Sequence, residues 1–328
     1  AIAITSYSTV FFDFLKITNF AMIYTILILL VIALINYHGI KSAGNFQLIT
    51  SLIKIIPLLI TIIIGFYVFD INNFFPINSS NESSFNAINI TTTLTFFAFL
   101  GIESATIPAD KIENPKENIP RATMIGTIIT ILIYLLSMIA LIGIIPTDEI
   151  ANSNAPFADA IGSVLGDNLK KTIAIFAIIS GLGSLNGWTL LQIEIPKSLA
   201  KRKLMGKIFQ KKNKDDVPYI GLIISTLLVT SLIIMNFSKN LTDIFTYLIL
   251  TSTFCSLMLY LFVSISEFTI LVKQKKPISD LKKSLFTGIP CFIFIIWLIY
   301  GVGYESIISG LFLLSFSIPI YIYQKKYA

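Results

Sequence analysis

Apolar residues run in blocks of eighteen or more along most of this chain, separated by short polar stretches. A membrane-spanning helix needs about 20 apolar residues. Eight blocks qualify: residues 20–37, 46–69, 88–106, 122–145, 172–195, 219–237, 241–272 and 285–302. A ninth, 306–323, closes the sequence. Residues 1–12 are apolar but too short to span. They read as the end of a further helix, because they lack the basic n-region and small-residue cleavage site of a secretory signal. The pattern predicts an all-α membrane protein forming a single transmembrane domain over residues 1–328.

The basic residues sharpen this reading into a topology. The alternate loops that include residues 197–214, together with the C-terminus, hold nineteen Lys and Arg, against three in the opposite loops. Short cytoplasmic loops concentrate Lys and Arg. The loop 197–214 and the C-terminus are therefore expected in the cytoplasm, and the first residues outside. Among the external stretches, 70–87 is Asn/Ser-rich and expected to be irregular. Residues 147–168 carry four carboxylates and are expected to form a short interfacial helix.

Composition agrees. The chain has 328 residues, 55% of them hydrophobic and 13% charged, with a mean hydropathy of +0.82. A soluble domain carries about twice that charged fraction. The net charge of +6 lies in loops between apolar blocks, which argues against a nucleic-acid partner. Cys255 and Cys291 fall inside apolar blocks and read as small buried hydrophobes. A single histidine, His38, gives no basis for a His-based metal site or catalytic triad. Neither a cofactor nor an enzymatic activity is expected.

Four segments stand out chemically. In Thr95-Phe-Phe-Ala-Phe-Leu-Gly-Ile-Glu-Ser-Ala-Thr106, a glycine and a carboxylate interrupt an apolar block. Glu103 is costly at the midplane unless paired, hydrated or protonated. A Gly-interrupted helix is one way transporters free backbone groups for substrate. The alternative is a packing glycine and a glutamate near the boundary. In Ser180-Gly-Leu-Gly-Ser-Leu-Asn-Gly-Trp188, small residues form a thin helix face suited to close packing. Trp188 lies away from the interfacial belt, where it can wall a cavity or stack on a cation. Lys54, in Ser51-Leu-Ile-Lys-Ile-Ile-Pro57, either snorkels to the interface or carries a proton or fills a cation site. Residues 110–121 form a mixed-charge loop with two proline stops.

Read together, Phe97-Ala-Phe-Leu-Gly-Ile-Glu-Ser-Ala105, Glu113-Asn-Pro-Lys-Glu-Asn-Ile-Pro-Arg-Ala122 and Gly183-Ser-Leu-Asn-Gly-Trp-Thr-Leu-Leu191 resemble the amino acid–polyamine–organocation transporter family. The nearest branch is that of the basic amino acid/polyamine antiporters. The resemblance covers essentially the whole chain. It implies a LeuT-like fold in which helices 1–5 and 6–10 are inverted repeats, followed by helices 11 and 12. On that pattern residues 1–12 correspond to the end of helix 3, 20–69 to helices 4–5, 88–272 to helices 6–10 and 285–323 to helices 11–12. Helices 1 and 2 and most of helix 3 have no counterpart, so the fold is expected to be N-terminally truncated.

The resemblance also assigns roles. Phe97 takes the place of an aromatic gate, Leu100 a pocket wall and Gly101 the unwound part of helix 6. Trp188 takes the place of the tryptophan beneath the substrate, and Ser252 a polar pocket position on helix 10. Glu103 matches a glutamate implicated in pH sensing or coupling. Lys54 matches the lysine that stands in for sodium in proton-coupled members. The implied partners are an amino acid or polyamine substrate and the lipid bilayer, with room for protons and a homodimer, and the implied location is the cell membrane. Two readings stay open: a secondary transporter, or a non-transporting fragment of one.

Overall fold

The computed structural model describes residues 1–39, 50, 52–78, 80, 82–102, 104, 112–236 and 241–327, with the side chains of 236 and 325–327 excepted. Among these residues it is helical throughout, and the one extended pairing given is an isolated bridge between Lys212 and Pro218. The helices are α1 (Ile2–Ser8), α2 (Thr18–Tyr37), α3 (Ile55–Tyr67), α4 (Ser84–Phe96), α5 (Pro115–Ile144), α6 (Thr147–Asn152), α7 (Pro156–Leu165), α8 (Asp167–Lys201), α9 (Tyr219–Asn236), α10 (Leu241–Lys273), α11 (Ile278–Gly301), α12 (Tyr304–Ser315) and α13 (Ser317–Tyr327).

Six spans among the described residues are long and apolar enough to cross a membrane: Thr18–Tyr37, Pro115–Ile144, Asp167–Lys201, Leu241–Lys273, Ile278–Gly301 and Tyr304–Gln324. Ile55–Tyr67 and Tyr219–Met235 are shorter apolar helices. The block 46–69 begins partly outside the described residues. Two differences from expectation have physical causes. The block 88–106 stops being α-helical at Phe96. The acidic stretch 147–168 makes two short helices, because Pro156 starts a new one at the position proline favours. Ser153 marks that corner: its backbone is extended, its hydroxyl lies 2.5 Å from Asp159 Oδ2, and its Oγ accepts from the Ala155 N–H.

The helices are inside-out relative to those of a water-soluble protein. On α2 the buried positions are Ala21, Thr25, Leu29, Ile32 and Asn36, three or four apart. The opposite face exposes Phe20, Ile23, Leu27, Leu30, Val31 and Leu34. On α3 the buried stripe is Pro57, Thr61 and Gly65, while Ile56, Leu59, Ile63 and Phe66 are exposed. A soluble helix turns its apolar stripe inward. Here small and polar residues share the inward face, with Leu29 and Ile32 the large exceptions on α2, while the outward face is large and apolar, as a lipid solvent demands. Lipid tails give no hydrophobic drive to helix association, so close packing and interhelical hydrogen bonds hold such helices together.

The chain divides into two compact units. The first comprises Ala1–Ile77, Glu113–Phe245 and Ile320–Ala328. Within it α8 packs on α1, α2, α7 and α9, and α3 packs on α5. Glycines set the closest approaches: a Cβ on Gly65 would lie 2.6 Å from Ala140 Cβ, and one on Gly181 2.6 Å from Ile4 Cγ1. Hydrogen bonds add to this, with Thr5 and Thr25 hydroxyls 2.7 Å apart between α1 and α2. Near the chain's acidic stretch, Ala155, Ala158, Ile161, Ile173 and Ala174 form a buried apolar cluster against Tyr7, Phe11 and Phe157. The end of α2 is capped from a distance: Asn213 donates its side-chain amide to the Tyr37 carbonyl at 2.5 Å, satisfying one of the orphan acceptors of a helix C-terminus. Gly39 then turns the chain away at φ +67°.

The second unit comprises Asn78–Ile112 and Thr246–Pro319. Its spine is α4 against α11. Asn89 donates to the Trp297 carbonyl at 2.7 Å, and Thr93 Oγ1 shares its one proton between the Asn89 and Leu298 carbonyls at 2.9 and 3.0 Å. Gly301 lies opposite these two side chains. Phe254, Leu257, Ile295, Leu298 and Val302 form the apolar centre.

Candidate functional site

The 88–106 block does not continue as a helix. α4 ends at Phe96, Phe97–Phe99 form a single 3-10 turn, Leu100 is extended at φ −67° and ψ 144°, and Gly101 takes φ +98°. No proline forces this. Gly101 permits it, since a positive φ is open to glycine at little cost. The chain then re-forms a tight turn, in which the Ser104 N–H and hydroxyl both donate to the Gly101 carbonyl, at 3.0 and 2.5 Å. Phe97, Leu100 and Gly101 are all half-buried at this break. Phe96, one residue before it, is anchored edge-on to Tyr260 and Phe294. Irregular backbone at membrane depth is tolerated only where protein or a cavity surrounds it. The break therefore leaves the regular α-helical hydrogen-bond ladder beside Phe97, with the Leu100 N–H turned onto the Phe97 carbonyl at 3.1 Å. Glu103 lies outside the described residues, as do Asp110 and Lys111.

Ser252 belongs to the same unit, on α10, and is exposed. Its neighbours Thr251 and Thr253 are buried, and both hydroxyls lack a hydrogen-bond partner among the described residues, although Thr residues in helices commonly donate to the preceding turn. The helical period thus turns the two threonines inward and Ser252 outward.

In the first unit, the small-residue face of α8 serves mainly for packing. Gly181 meets Ile4, and a Cβ on Gly183 would lie 2.5 Å from Thr50 Oγ1. Trp188 is 48% exposed and lines neither of the cavities described here. Lys54 immediately precedes α3 and is half-buried. It lines a cavity of about 540 Å³ together with Tyr7, Pro57, Thr130, Phe157, Ser180 and Ser184. Its Nζ makes no hydrogen bond or ion pair among the described residues. The Lys54 side chain thus shares a largely apolar chamber with the hydroxyl-bearing Tyr7, Thr130, Ser180 and Ser184. Among the described residues no three His, Cys, Asp or Glu side chains gather in a way that could hold a metal ion.

The structure therefore places Phe97, Leu100, Gly101 and Ser252 in one unit and Lys54 and Trp188 in the other. Sequence reasoning passed over one polar contact, that between Asn36 of α2 and Asn186 of α8, 2.8 Å apart and almost fully buried. The signal was visible as an asparagine within each of two apolar blocks.

Comparison with known proteins gives consistent results. The family model for the amino acid permeases matches residues 1–322. The putrescine transporter PotE of Haemophilus influenzae is 31% identical over 293 residues, covering 88% of this chain and 66% of that protein. PotE of Escherichia coli is 29% identical over 288 residues, with 87% and 65% covered. The cadaverine/lysine antiporter of E. coli is 29% identical over 238 residues, with 72% and 54% covered. The chain thus spans about two thirds of the length of the putrescine transporters and about half that of the antiporter.

Proposed function

The chain belongs to the amino acid permease family, whose members are transporters and not enzymes, and on that premise we propose that it carries or exchanges cationic amino acids or polyamines across the cell membrane. The observation that bears most weight is the helix break at Phe97–Gly101. It is supported by relatives that are named as putrescine transporters and as a cadaverine/lysine antiporter.

In this reading the fold is the LeuT-like pattern of inverted repeats. Residues 1–12 stand for the end of helix 3, 20–69 for helices 4–5, 88–272 for helices 6–10 and 285–323 for helices 11–12, all in one transmembrane domain. The C-terminus is cytoplasmic, in keeping with the charge asymmetry of the loops. The interrupted stretch at Leu100 and Gly101 brings irregular backbone to the substrate's polar head, as in transporters with discontinuous helices. Phe97 and Trp188 each offer a ring face to a cationic group, and Ser252 offers a polar one. Glu103 and Lys54 take up and release the coupling proton, and two copies of the chain associate as a homodimer.

Exchange of labelled ornithine for putrescine in proteoliposomes tests the reading. Glu103→Gln should alter the pH dependence of exchange, and Lys54→Ala should weaken the response to an imposed proton gradient. An unchanged pH profile in both variants removes these residues from coupling. Absence of any exchange overturns the activity for this chain.

A further inference from the structure

A second cavity, of about 320 Å³, lies in the first unit between the end of α2, the last turns of α8 and the loop leading into α9. Neither Lys54 nor Trp188 lines it. Its walls include Asn36, Asn186, Glu194, Lys197, Lys212 and Asp216.

The two asparagines are 5% and 3% exposed. Asn36 Nδ2 donates both of its hydrogens, one to the Ile32 carbonyl at 2.9 Å and one to Asn186 Oδ1 at 2.8 Å. These bonds fix both amides, because turning either over would set like groups against each other. Two capacities are left: Asn36 Oδ1 as an acceptor and Asn186 Nδ2 as a donor. Neither has a partner among the described residues, and both belong to residues that line the cavity. Both atoms keep access to the cavity and are open to a ligand.

The charged residues are balanced. Lys197 Nζ lies 2.8 and 3.0 Å from the two Glu194 carboxylate oxygens, and Lys212 Nζ lies 2.6 Å from Asp216 Oδ1. These are partly exposed pairs, and such pairs are weak. A ligand can take over one member of each at little cost.

We propose that this cavity binds a free α-amino acid by its zwitterionic head, the carboxylate facing Asn186 Nδ2 and a wall lysine, the α-ammonium facing Asn36 Oδ1 and a wall carboxylate. One amide donor, one amide acceptor and two charges of each sign match a molecule with one anionic and one cationic end. A diamine does not match: it has donors only, leaves Asn186 Nδ2 unsatisfied and meets two lysines. The volume lies at the small end of the range for ligand pockets, which suits a single amino acid. An ethanolamine phospholipid head offers the same pairing of ammonium and oxyanion, so the test separates the two sources. The proposal goes beyond the transport reading and does not rest on it, because binding here needs no translocation.

The experiment is hydrogen–deuterium exchange on the full chain purified in detergent, following peptides that cover residues 190–218. Ornithine and putrescine, which differ by one carboxyl group, are the probes. Ornithine should protect these peptides, and putrescine should need about tenfold more for the same effect. Glu194→Gln and Lys212→Ala should each raise the ornithine concentration required by about tenfold. Asn186→Leu should abolish protection. If that variant fails to fold, the two exposed charge variants carry the test. No protection by ornithine at millimolar concentration overturns the proposal, as does equal protection by putrescine. Protection produced by adding phosphatidylethanolamine without amino acid assigns the cavity to a lipid head and overturns it too. Transport in proteoliposomes is read separately, so either idea can fail while the other stands.

Discussion

Gly221 of α9 stands over the carbonyl oxygen of Gln192 in α8, where a Cβ would approach that oxygen to 3.0 Å. The carbonyl is available because Pro196, four residues on, has no N–H to donate to it. A side chain at Gly221 must push α9 away from α8. Gly221→Leu should cost about 1–3 kcal/mol and lower the thermal midpoint in detergent. Gly126, with open space around it, serves as the control, and Gly126→Leu should stay within about 0.5 kcal/mol of the parent. Equal midpoints for the two variants would contradict this account of the α8–α9 contact.

The second unit has its own close approach. A Cβ on Gly301 would fall 2.6 Å from Asn89 Oδ1 and 2.9 Å from the Asn89 carbonyl. Gly301→Ala should therefore strain the Asn89–Trp297 hydrogen bond and destabilise the chain by about 1–3 kcal/mol. Combining it with Asn89→Ala should recover part of that loss. Strict additivity of the two variants would show that they do not meet.

The outward face of α2 tests the lipid environment directly. Leu27 is 53% exposed among aliphatic neighbours. In a membrane-insertion assay, Leu27→Arg should raise the insertion free energy of this segment by about 2.5–3.5 kcal/mol. In a water-facing helix the same change would cost almost nothing, so a neutral result would count against the bilayer assignment.

One acid-sensitive contact sits at the start of α8. Lys171 hydrogen-bonds Asp167 at 2.6 Å. The ion pair exists while the carboxyl is ionised and is lost as acid protonates it. Asp167→Asn should therefore lower the unfolding midpoint at about pH 7, and the difference should shrink toward about pH 2. The same difference at both pH values would separate Asp167 from acid sensitivity.

The apolar blocks and the loop charges were legible because lipid imposes length and basic residues mark loops. The break at Phe97–Gly101 was half legible: the sequence allowed either an interrupted helix or a packing glycine, and the φ of +98° at Gly101 decides for the interruption. Gly181 and Gly183 of α8 were ambiguous in the sequence, and their partners Ile4 and Thr50 lie far away along the chain. Ser252 shows the limit of single-position reading: its two neighbours turn inward and it does not, a result of helix rotation against α11 and α12. The Asn36–Asn186 pair escaped notice because each asparagine alone looks like a tolerated polar residue, and only their separation of 150 residues closed to 2.8 Å gives them meaning.

The inside-out stripe of α2 and α3 also dictates which substitutions the protein can absorb. Outward positions such as Leu27, Leu30, Leu59 and Ile63 belong to a permissive alphabet, in which any bulky aliphatic serves the lipid equally well. Ala21, Thr25, Thr61 and Gly65 belong to a restrictive one, where a single added methyl meets a neighbouring helix. Sequence drift in this chain should therefore accumulate on its largest, most hydrophobic surface and spare its smallest residues, the reverse of what a water-soluble protein of the same length would tolerate.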